Sequence, residues 1–391
     1  MSNFSTRAVH AGLAPEPANR PASLPIYQSA GWVFRDLDEV DAIYEGRTAG
    51  AIYGTDGVPN ILALEALVAE LEGAETALAT SGGMAAFFAT FMGLLGSGDR
   101  VVASRDLYGN TTRLLADLSR FGVVAEFVDA TDLDAVQRAL QSKTRLVVVE
   151  TISNPRLRVA DLRELAKLAH DGGALLLVDN TFASPYHCLP LAHGADLVVE
   201  SATKFFGGHH DLVLGALAGR AEVVDRIRTL AVRASMVPGA FDAWLAARSI
   251  QTLGTRLERA SSNALALATW LSQQKAVGAV HYPGLPSHPD RRAAQALLTN
   301  GAGAMLAFEI AGGRAGVNAL VRGLSMIRLV LSLGGTATTL SHPATSSHRA
   351  LSREQRDALG IHDGFLRMSV GIEDIADIES DLERGFAALA T

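Results

Sequence analysis

The stretch Asp196-Leu197-Val198-Val199-Glu200-Ser201-Ala202-Thr203-Lys204 decides the fold. In it an apolar strand runs into a lysine that is flanked by hydroxyls and followed by Gly207-Gly208. An amine at a strand end, with hydroxyls beside it and glycines behind it, suits a lysine that forms a Schiff base at a phosphate site. The other three lysines of the chain lie in a polar turn or in helical patterns and lack this setting. Lys204 is therefore the first functional candidate.

Short apolar runs alternate with helical patterns from about residue 53 to 245. The predicted strands are Ala77–Thr80, Arg100–Ala103, Val123–Val128, Leu146–Glu150, Leu175–Asp179, Leu197–Val199 and Leu212–Ala218. Strands that are apolar throughout and separated by helices indicate an α/β fold with a mostly parallel sheet covered on both faces. Ligands of such sheets lie beyond the carboxyl ends of the strands, which is where Asn154, Asp179 and Lys204 fall.

The two ends of the chain differ from this middle region in composition and in predicted secondary structure. Residues 1–52 are rich in Pro, Gly and aromatic residues without periodicity, which predicts an N-terminal arm that packs on a neighbouring subunit. A helical stretch over 241–275 precedes strand-like runs at Met305–Ile310, Arg328–Leu331 and Arg367–Val370. We therefore expect an arm (1–52), a large domain (53–245) and a smaller α+β C-terminal domain (246–391).

Composition excludes several functional classes. A chain of 391 residues with 48% hydrophobic residues can build a large core, and its net charge of −7 offers no basic surface for nucleic acid. The longest apolar run, 85–96, is too short to span a bilayer, and the N-terminus has no apolar segment typical of a signal peptide. A single cysteine, Cys188, fits a reducing compartment, so we expect a cytoplasmic protein.

Asp179 ends the apolar run Leu175–Asp179, where it either caps the following turn or has a functional partner. Because a buried carboxylate needs a cation, a protonated pyridine nitrogen on a cofactor bound to Lys204 would satisfy it. Ser81-Gly82-Gly83-Met84 opens a helix and is either an ordinary turn or an anion site. The hydroxyls of Ser201 and Thr203 favour a phosphate there.

Three further groups have both a functional and a structural interpretation. Tyr108 follows a strand and is either a core residue or a group that stacks on a ring or transfers a proton. Arg367 suits a substrate carboxylate, with a surface salt bridge as the alternative. His209-His210-Asp211 has no further ligands at metal spacing, so a hydrogen-bonded turn is favoured and no metal is expected.

Several ordered motifs resemble one family. They are Thr6-Arg7-Ala8-Val9-His10-Ala11-Gly12, Pro25-Ile26-Tyr27-Gln28, Val178-Asp179-Asn180-Thr181-Phe182, Ser201-Ala202-Thr203-Lys204, Phe241-Asp242-Ala243-Trp244, Tyr282-Pro283-Gly284-Leu285 and Ser369-Val370-Gly371-Ile372-Glu373-Asp374. The chain resembles the Cys/Met-metabolism family of fold-type I pyridoxal-phosphate enzymes, which includes cystathionine γ-synthase, cystathionine lyases, methionine γ-lyase and O-acetylhomoserine sulfhydrylase. The resemblance implies pyridoxal 5'-phosphate as cofactor, a small amino-acid substrate, and a tetramer made of catalytic dimers.

The resemblance also implies roles for individual residues. Lys204 forms the Schiff base, Asp179 pairs with the pyridine nitrogen, Tyr108 stacks on the ring and Asn154 bonds the ring hydroxyl. The phosphate is held by Gly83, Met84, Ser201 and Thr203, and by Tyr53 of a neighbouring subunit, while Arg367 and Ser332 handle the substrate carboxylate. The family usually places arginine where this chain has Thr55, which predicts weaker cofactor binding unless Arg47 compensates.

The subgroup signals are mixed. Leu331 stands where cystathionine-handling members place glutamate, which resembles methionine γ-lyase and the sulfhydrylases. Asn110 replaces the cysteine usual in methionine γ-lyases, and Arg113 resembles the distal arginine of cystathionine-type members. We therefore expect γ-elimination on a γ-substituted L-amino acid, with γ-replacement or cystathionine β-lyase activity as alternatives.

Two other classes are weaker interpretations. A dinucleotide oxidoreductase would need a third glycine and a helix after Gly301-Ala302-Gly303, whereas this segment runs into a predicted strand. A silent pyridoxal-phosphate-binding protein would have no need to keep Lys204, Asp179, Tyr108 and Arg367 together.

Overall fold

The computed structural model describes residue 19 and residues 21–389. The motif at residues 6–12, and with it residues 1–18 and residue 20 of the arm, lie outside the described residues. The helices are α1 (Leu37–Tyr44), α2 (Pro59–Glu72), α3 (Gly83–Leu94), α4 (Gly109–Asp117), α5 (Leu133–Ala139), α6 (Leu162–Asp171), α7 (Ser184–His187), α8 (Ala221–Arg233), α9 (Ala240–Ile250), α10 (Leu253–Leu271), α11 (Arg291–Leu297), α12 (Gly313–Gly323), α13 (Arg353–Ala358) and α14 (Ile375–Ala387). The strands are β1 (Thr76–Thr80), β2 (Arg100–Ser104), β3 (Val124–Val128), β4 (Leu146–Glu150), β5 (Leu175–Asp179), β6 (Leu197–Glu200), β7 (Gly215–Gly219), β8 (Val277–His281), β9 (Met305–Ile310), β10 (Arg328–Leu329), β11 (Thr339–Ser341) and β12 (Phe365–Ser369).

A seven-stranded sheet in the order β1-β7-β6-β5-β4-β2-β3 forms the centre of the large domain. All neighbouring strands are parallel except β7, which is antiparallel to both β1 and β6. Alternate residues of the inner strands enter opposite cores: Val147 and Val149 of β4 face one cluster, and Leu146 and Val148 face the other. These inner strands are buried on both faces and are therefore almost continuous apolar runs, whereas the edge strand β3 exposes Val124.

The C-terminal part contains a five-stranded sheet in the order β10-β11-β12-β9-β8, which is antiparallel except for the β10–β11 pair. Its core joins α10, α12 and α14 to the strands through residues such as Leu267, Leu320 and Leu382. The expected α/β fold with a smaller α+β domain is confirmed. The expected boundary after residue 245 falls within α9, so the domain limits stay predictions.

The helical stretch expected over 241–275 consists of two helices, α9 and α10, separated by a break at residues 251 and 252. The guanidinium of buried Arg256 lies at this break and donates to the carbonyls of Ser249 (3.0 Å), Phe205 (2.7 Å) and Phe206 (3.3 Å). A buried cation needs such acceptors. The carbonyls of Phe205 and Phe206 directly follow Lys204, so this break also braces the turn that carries the lysine.

Several predicted strand limits are wrong. The run expected at Leu212–Ala218 forms a strand only from Gly215, because Leu214 bonds instead to Thr203 through both backbone groups. Arg328–Leu331 pairs as a strand only to Leu329, and β12 covers 365–369 rather than 367–370. The strands β8 and β11 were not expected. β11 is only three residues long, too short for a period-two pattern to show.

Candidate active site

Strands β4, β5 and β6 end side by side in Glu150, Asp179 and Glu200. Parallel pairing places Glu150 opposite Asp179, so the carboxyl ends of the strands meet at one edge. Thr181 joins two of these ends: its N–H donates to Asp179 Oδ1 at 3.0 Å, and its Oγ1 accepts from the N–H of Ser201 at 2.8 Å. The loops after these strands therefore have a fixed spacing, as expected for a ligand site in this fold.

Lys204 lies in the turn after β6, and its amine donates to Ser332 Oγ at 3.1 Å. The contact brings the C-terminal domain to the lysine. It depends on Gly334, whose φ is +82° and where a Cβ would lie 2.8 Å from the backbone of Lys204 and Phe205. Burial, followed by the charge of Arg367, lowers the pKa of the Lys204 amine. A lysine with a lowered pKa is more often neutral and can act as nucleophile or base.

Asp179 is a partly buried carboxylate with no cationic partner within the described range 21–389. Its Oδ1 accepts from Thr181, and burial raises the pKa of its carboxyl. Burial without a counter-charge is costly for a carboxylate. The geometry therefore leaves Asp179 in need of a positive group, which the protonated nitrogen of a pyridine ring would supply.

The glycine turn before α3 meets the turn of Lys204, as the sequence predicts for a phosphate site. A Cβ on Gly83 would lie 3.0 Å from Cβ and 3.1 Å from Oγ of Ser201. Met84 follows at the start of the same helix, whose first N–H groups suit an anion. Thr203 departs from the expectation, because its Oγ1 donates to the Leu214 carbonyl (3.1 Å) and accepts from the Leu214 N–H (2.9 Å).

Glu150 organises two of the predicted ring contacts and was missed from the sequence. It is buried, and its two oxygens accept from the N–H groups of Tyr108 (2.6 Å) and Asn154 (2.8 Å). Burial, followed by the charge of Asp179, raises the pKa of Glu150 well above its usual value. The signal was present, since Leu146–Glu150 ends in a carboxylate just as Leu175–Asp179 does. Tyr108 also accepts a bond from Asn110 through its hydroxyl, at 3.0 Å.

Arg367 is not a surface residue, so the salt-bridge interpretation is wrong. It is 6% exposed, donates to Asn154 Oδ1 at 2.6 Å and stands 5.7 Å from the ring centre of Phe182. Its Nε is buried and, as far as the structure describes the chain, has no partner. Burial lowers the pKa of Arg367 to about 10, so it stays charged near neutral pH. An unpaired buried guanidinium nitrogen is suited to binding a carboxylate.

We call Asn154, Asp179, Lys204 and Arg367 the inner site, and Arg113 and Leu331 its rim. The rim residues are exposed: Leu331 keeps 71% of its surface, and Arg113 makes one long bond to Asn110, at 3.4 Å. Neither is fixed by buried contacts. Buried contacts therefore fix the side-chain positions of the inner site but not those of the rim.

Tyr53, Thr55 and Arg47 lie apart from the inner site within one chain. Tyr53 is 59% exposed, and Thr55 lines a cavity of about 450 Å³ together with Arg228. Arg47 is exposed and pairs with Glu45 at 2.6 Å.

His209-His210-Asp211 forms a turn in which His209 Nδ1 bonds the Gly207 carbonyl at 2.8 Å. Residues 21–389 contain no cluster of three His, Cys, Asp or Glu side chains able to hold a metal ion. Over the same residues no helix is long and apolar enough to cross a membrane.

A lysine on a strand-end turn, a cation-free aspartate and a glycine-and-serine cradle on a mostly parallel sheet define a fold-type I pyridoxal-phosphate enzyme. The chain belongs to the family described as Cys/Met metabolism PLP-dependent enzymes, which matches residues 5–387. It is a PLP-dependent enzyme of sulfur amino-acid metabolism, and its substrate is a small amino acid.

Relatives with different reactions match almost the whole chain. An L-methionine γ-lyase of Fusobacterium nucleatum subsp. polymorphum is 39% identical over 98% of this chain and 97% of its own length. An O-succinylhomoserine sulfhydrylase of Pseudomonas aeruginosa is 38% identical over 99% and 96%. The solved cystathionine γ-synthase of Xanthomonas oryzae pv. oryzae superposes with a TM-score of 0.91 at 37% identity, covering 100% of this chain and 99% of that one. Elimination and replacement enzymes thus share this fold.

Proposed function

We propose that the protein catalyses γ-elimination on a γ-substituted L-amino acid. The substrate and one water would give a 2-oxo acid, ammonia and the released γ-substituent. The observation that carries the proposal is the rim: Leu331 is exposed beside Ser332, the residue that contacts Lys204, and offers no counter-charge to a distal ammonium. The L-methionine γ-lyase of F. nucleatum supports the same choice.

In this proposal the inner site binds the cofactor and the substrate carboxylate. Lys204 would attach the cofactor, Asp179 would pair with the pyridine nitrogen, and Asn154 would bond the ring hydroxyl through Nδ2, since its Oδ1 already accepts from Arg367. When bound, the cofactor supplies an electron sink for the charge that develops at Cα. Tyr108 packs on the ring. The phosphate would be held by Gly83, Met84 and Ser201, and by Thr203 once its hydroxyl turned from the Leu214 carbonyl to the phosphate.

Proton movement falls to two residues. Lys204 Nζ, with its lowered pKa, would take the α-proton of the bound substrate and would also serve the deprotonation at Cβ. Tyr108 Oη donates a proton to the departing γ-substituent. Arg367 would hold the substrate carboxylate through its guanidinium group, and Ser332 would complete that contact while it orients the lysine amine.

The assembly is part of the proposal. Residues 21–58 expose apolar side chains, among them Val33, Leu37 and Tyr44, and α1 has no buried residue. Such a surface needs a cover, which a second copy of the chain would provide. We propose catalytic dimers, paired into a homotetramer, in which the arm (1–52) contacts the neighbouring large domain (53–245) and Tyr53 reaches the neighbour's phosphate. The C-terminal domain (246–391) would then lie outside that contact. Lone, buried Cys188 fits a cytoplasmic protein.

A replacement reaction is the second candidate, because exposed Arg113 can meet an anionic distal group. The O-succinylhomoserine sulfhydrylase of P. aeruginosa acts on a substrate named for such a group. Replacement would use the same inner site, with a thiol in place of water in a reaction of the cystathionine γ-synthase type and with sulfide in one of the O-acetylhomoserine sulfhydrylase type. Cystathionine β-lyase activity and a silent cofactor-binding protein are the remaining alternatives.

The test is a substrate panel. Purified protein is incubated with methionine, homocysteine, cystathionine, cysteine, O-acetylhomoserine and O-succinylhomoserine, with and without an added thiol or sulfide. The 2-oxo acid and the replacement product, a thioether or homocysteine, are both measured. We expect 2-oxo acid and ammonia in equal amounts from a γ-substituted substrate without thiol. Thioether formation with negligible 2-oxo acid would establish replacement instead. Pyruvate released from cystathionine would establish the β-lyase, and no product from any substrate would favour the silent protein.

A further inference from the structure

Two carboxyl groups meet in the core beneath the inner site. Glu72 ends α2 and Glu200 ends β6, and they are 1% and 3% exposed. Both oxygens of Glu72 and Oε1 of Glu200 are buried and receive no hydrogen bond from an N–H or hydroxyl group of the described chain. Neither side chain has an ion-pair partner within residues 21–389. Buried carboxylates without cations or donors are strongly disfavoured.

The two carboxyls lie close enough that each shifts the pKa of the other, and three of their four oxygens are buried without a partner in the described chain. Because two ionised carboxylates are both acceptors, a hydrogen bond between them requires that one of them carries the proton. Burial raises the pKa of Glu72 to about 7, while burial and then the charge of Glu72 raise the pKa of Glu200 well above its usual value. The contact and the protonation therefore support each other.

The pair touches both halves of the proposed cofactor site. Glu200 immediately precedes Ser201, and the side chain of Asn180, which follows Asp179, lies close enough to both carboxyls to lower the pKa of each. Asn180 is itself fixed: its Oδ1 accepts from Thr151 at 2.8 Å and its Nδ2 donates to the Cys188 carbonyl at 3.0 Å.

The other titratable groups that act on the pair are Asp179 and the Cys188 thiol. Burial, followed by the charges of the two glutamates, raises the pKa of Cys188 to about 12, so the thiol stays neutral. The described neighbours thus include no cation able to stabilise a second negative charge.

We propose that Glu72 and Glu200 share a single proton at neutral pH and that this acid pair positions the turn carrying Ser201 and Lys204. The pair contacts neither substrate nor cofactor, so its members are positioning residues. The link to catalysis rests on the proposed role of Lys204, whereas the shared proton does not.

The sign of the pH dependence follows from linkage. An acid whose pKa is higher in the folded than in the unfolded protein binds more protons when folded, so stability falls as the pH rises from the unfolded pKa to the folded one. For one proton the unfolding equilibrium constant rises by about tenfold per pH unit over that window. Above it, the two carboxylates repel each other in the core.

The experiment compares holoenzymes of wild type, Glu200→Gln, Glu72→Gln and the control Glu70→Gln, an exposed residue of the same helix. A glutamine donates an N–H in place of the shared proton and cannot ionise. We expect the urea midpoint of wild type to fall between pH 6 and 9 relative to both core variants, and Glu70→Gln to follow wild type. Parallel curves for wild type and Glu200→Gln would overturn the proposal.

Two further readouts remove ambiguity. The alkaline limb of kcat/KM should begin at a lower pH in wild type than in Glu200→Gln, a shift that a merely structural role would not produce. If a core variant fails to fold, infrared spectra of the wild-type protein provide the test. The absence of any protonated carboxylic acid band at pH 7 would overturn the proposal of a shared proton. Failure of the proposed function would appear as cofactor attachment away from Lys204 and would leave the stability curves unchanged.

Discussion

Arg367 and Arg113 are the two cations proposed to face the substrate, and their surroundings differ. Arg367 is buried in β12, contacts Asn154 and Phe182, and has one nitrogen without a partner among residues 21–389, while Arg113 is exposed with one long hydrogen bond. The same contrast separates Lys204 from Leu331. In the proposed function, the chemistry common to the family would therefore lie where packing fixes the geometry, and substrate choice would lie where water screens the charges. Changes in the inner site should have far larger effects than changes at the rim.

The largest effect is expected for Lys204→Ala. Without its amine the cofactor has no covalent attachment and the α-proton has no base, so nearly all turnover should be lost. Borohydride reduction and peptide mapping should place the pyridoxyl group on Lys204 in wild type. Lys167→Ala, at an exposed helical position, is the control and should keep wild-type activity. A pyridoxyl group on any other lysine would refute the assignment.

Asp179→Asn tests the carboxylate that has no cation in the described structure. A neutral amide cannot hold the pyridine proton, so kcat should fall by about 10³-fold or more while the fold is kept. Because burial raises the pKa of this carboxyl, the apo variant should also be no less stable than wild type at neutral pH. Asp171→Asn, on the exposed end of α6, controls for loss of charge alone. Near-normal kcat with saturating cofactor would contradict the role of Asp179.

Thr55→Arg should have an intermediate effect, on cofactor binding. A charged donor at this position should tighten binding by about 1–3 kcal/mol if it reaches the neighbour's phosphate. Dissociation of the cofactor on dilution, followed by absorbance, measures the change. Thr55→Gln has a long side chain without the charge and serves as control. Unchanged affinity in Thr55→Arg, with loss of affinity in Arg47→Ala, would show that Arg47 already fills this position.

The smallest effect is expected at the rim. Leu331→Glu supplies a partner for a distal ammonium, so the kcat/KM ratio of cystathionine to methionine should rise. Since position 331 is exposed, the gain should be only about two- to fivefold. Leu331→Gln, which adds polarity without charge, should leave the ratio near that of wild type. If wild type already prefers cystathionine, or both variants behave alike, Leu331 does not discriminate substrates.

The central sheet could be predicted because its inner strands are buried on both faces and therefore appear in the sequence as apolar runs. The strand ends were less predictable. Leu214, expected in β7, forms its backbone hydrogen bonds with Thr203 and not with a neighbouring strand. Thr203 and Glu150 show the same limit within the site. A hydroxyl next to a catalytic lysine suggests a phosphate contact, but only packing reveals that it bonds Leu214.

The sequence alone determined the family, the cofactor and the candidate lysine, because motifs carry the residue types that this chemistry needs and their order along the chain. The tertiary structure decided what each group faces. It buried Arg367, brought Ser332 to Lys204 and placed Glu72 next to Glu200. In each of these two pairs the partners are 128 residues apart in the chain. Burial and partner choice fix charge and proton position, and both depend on contacts between distant segments that no local pattern records.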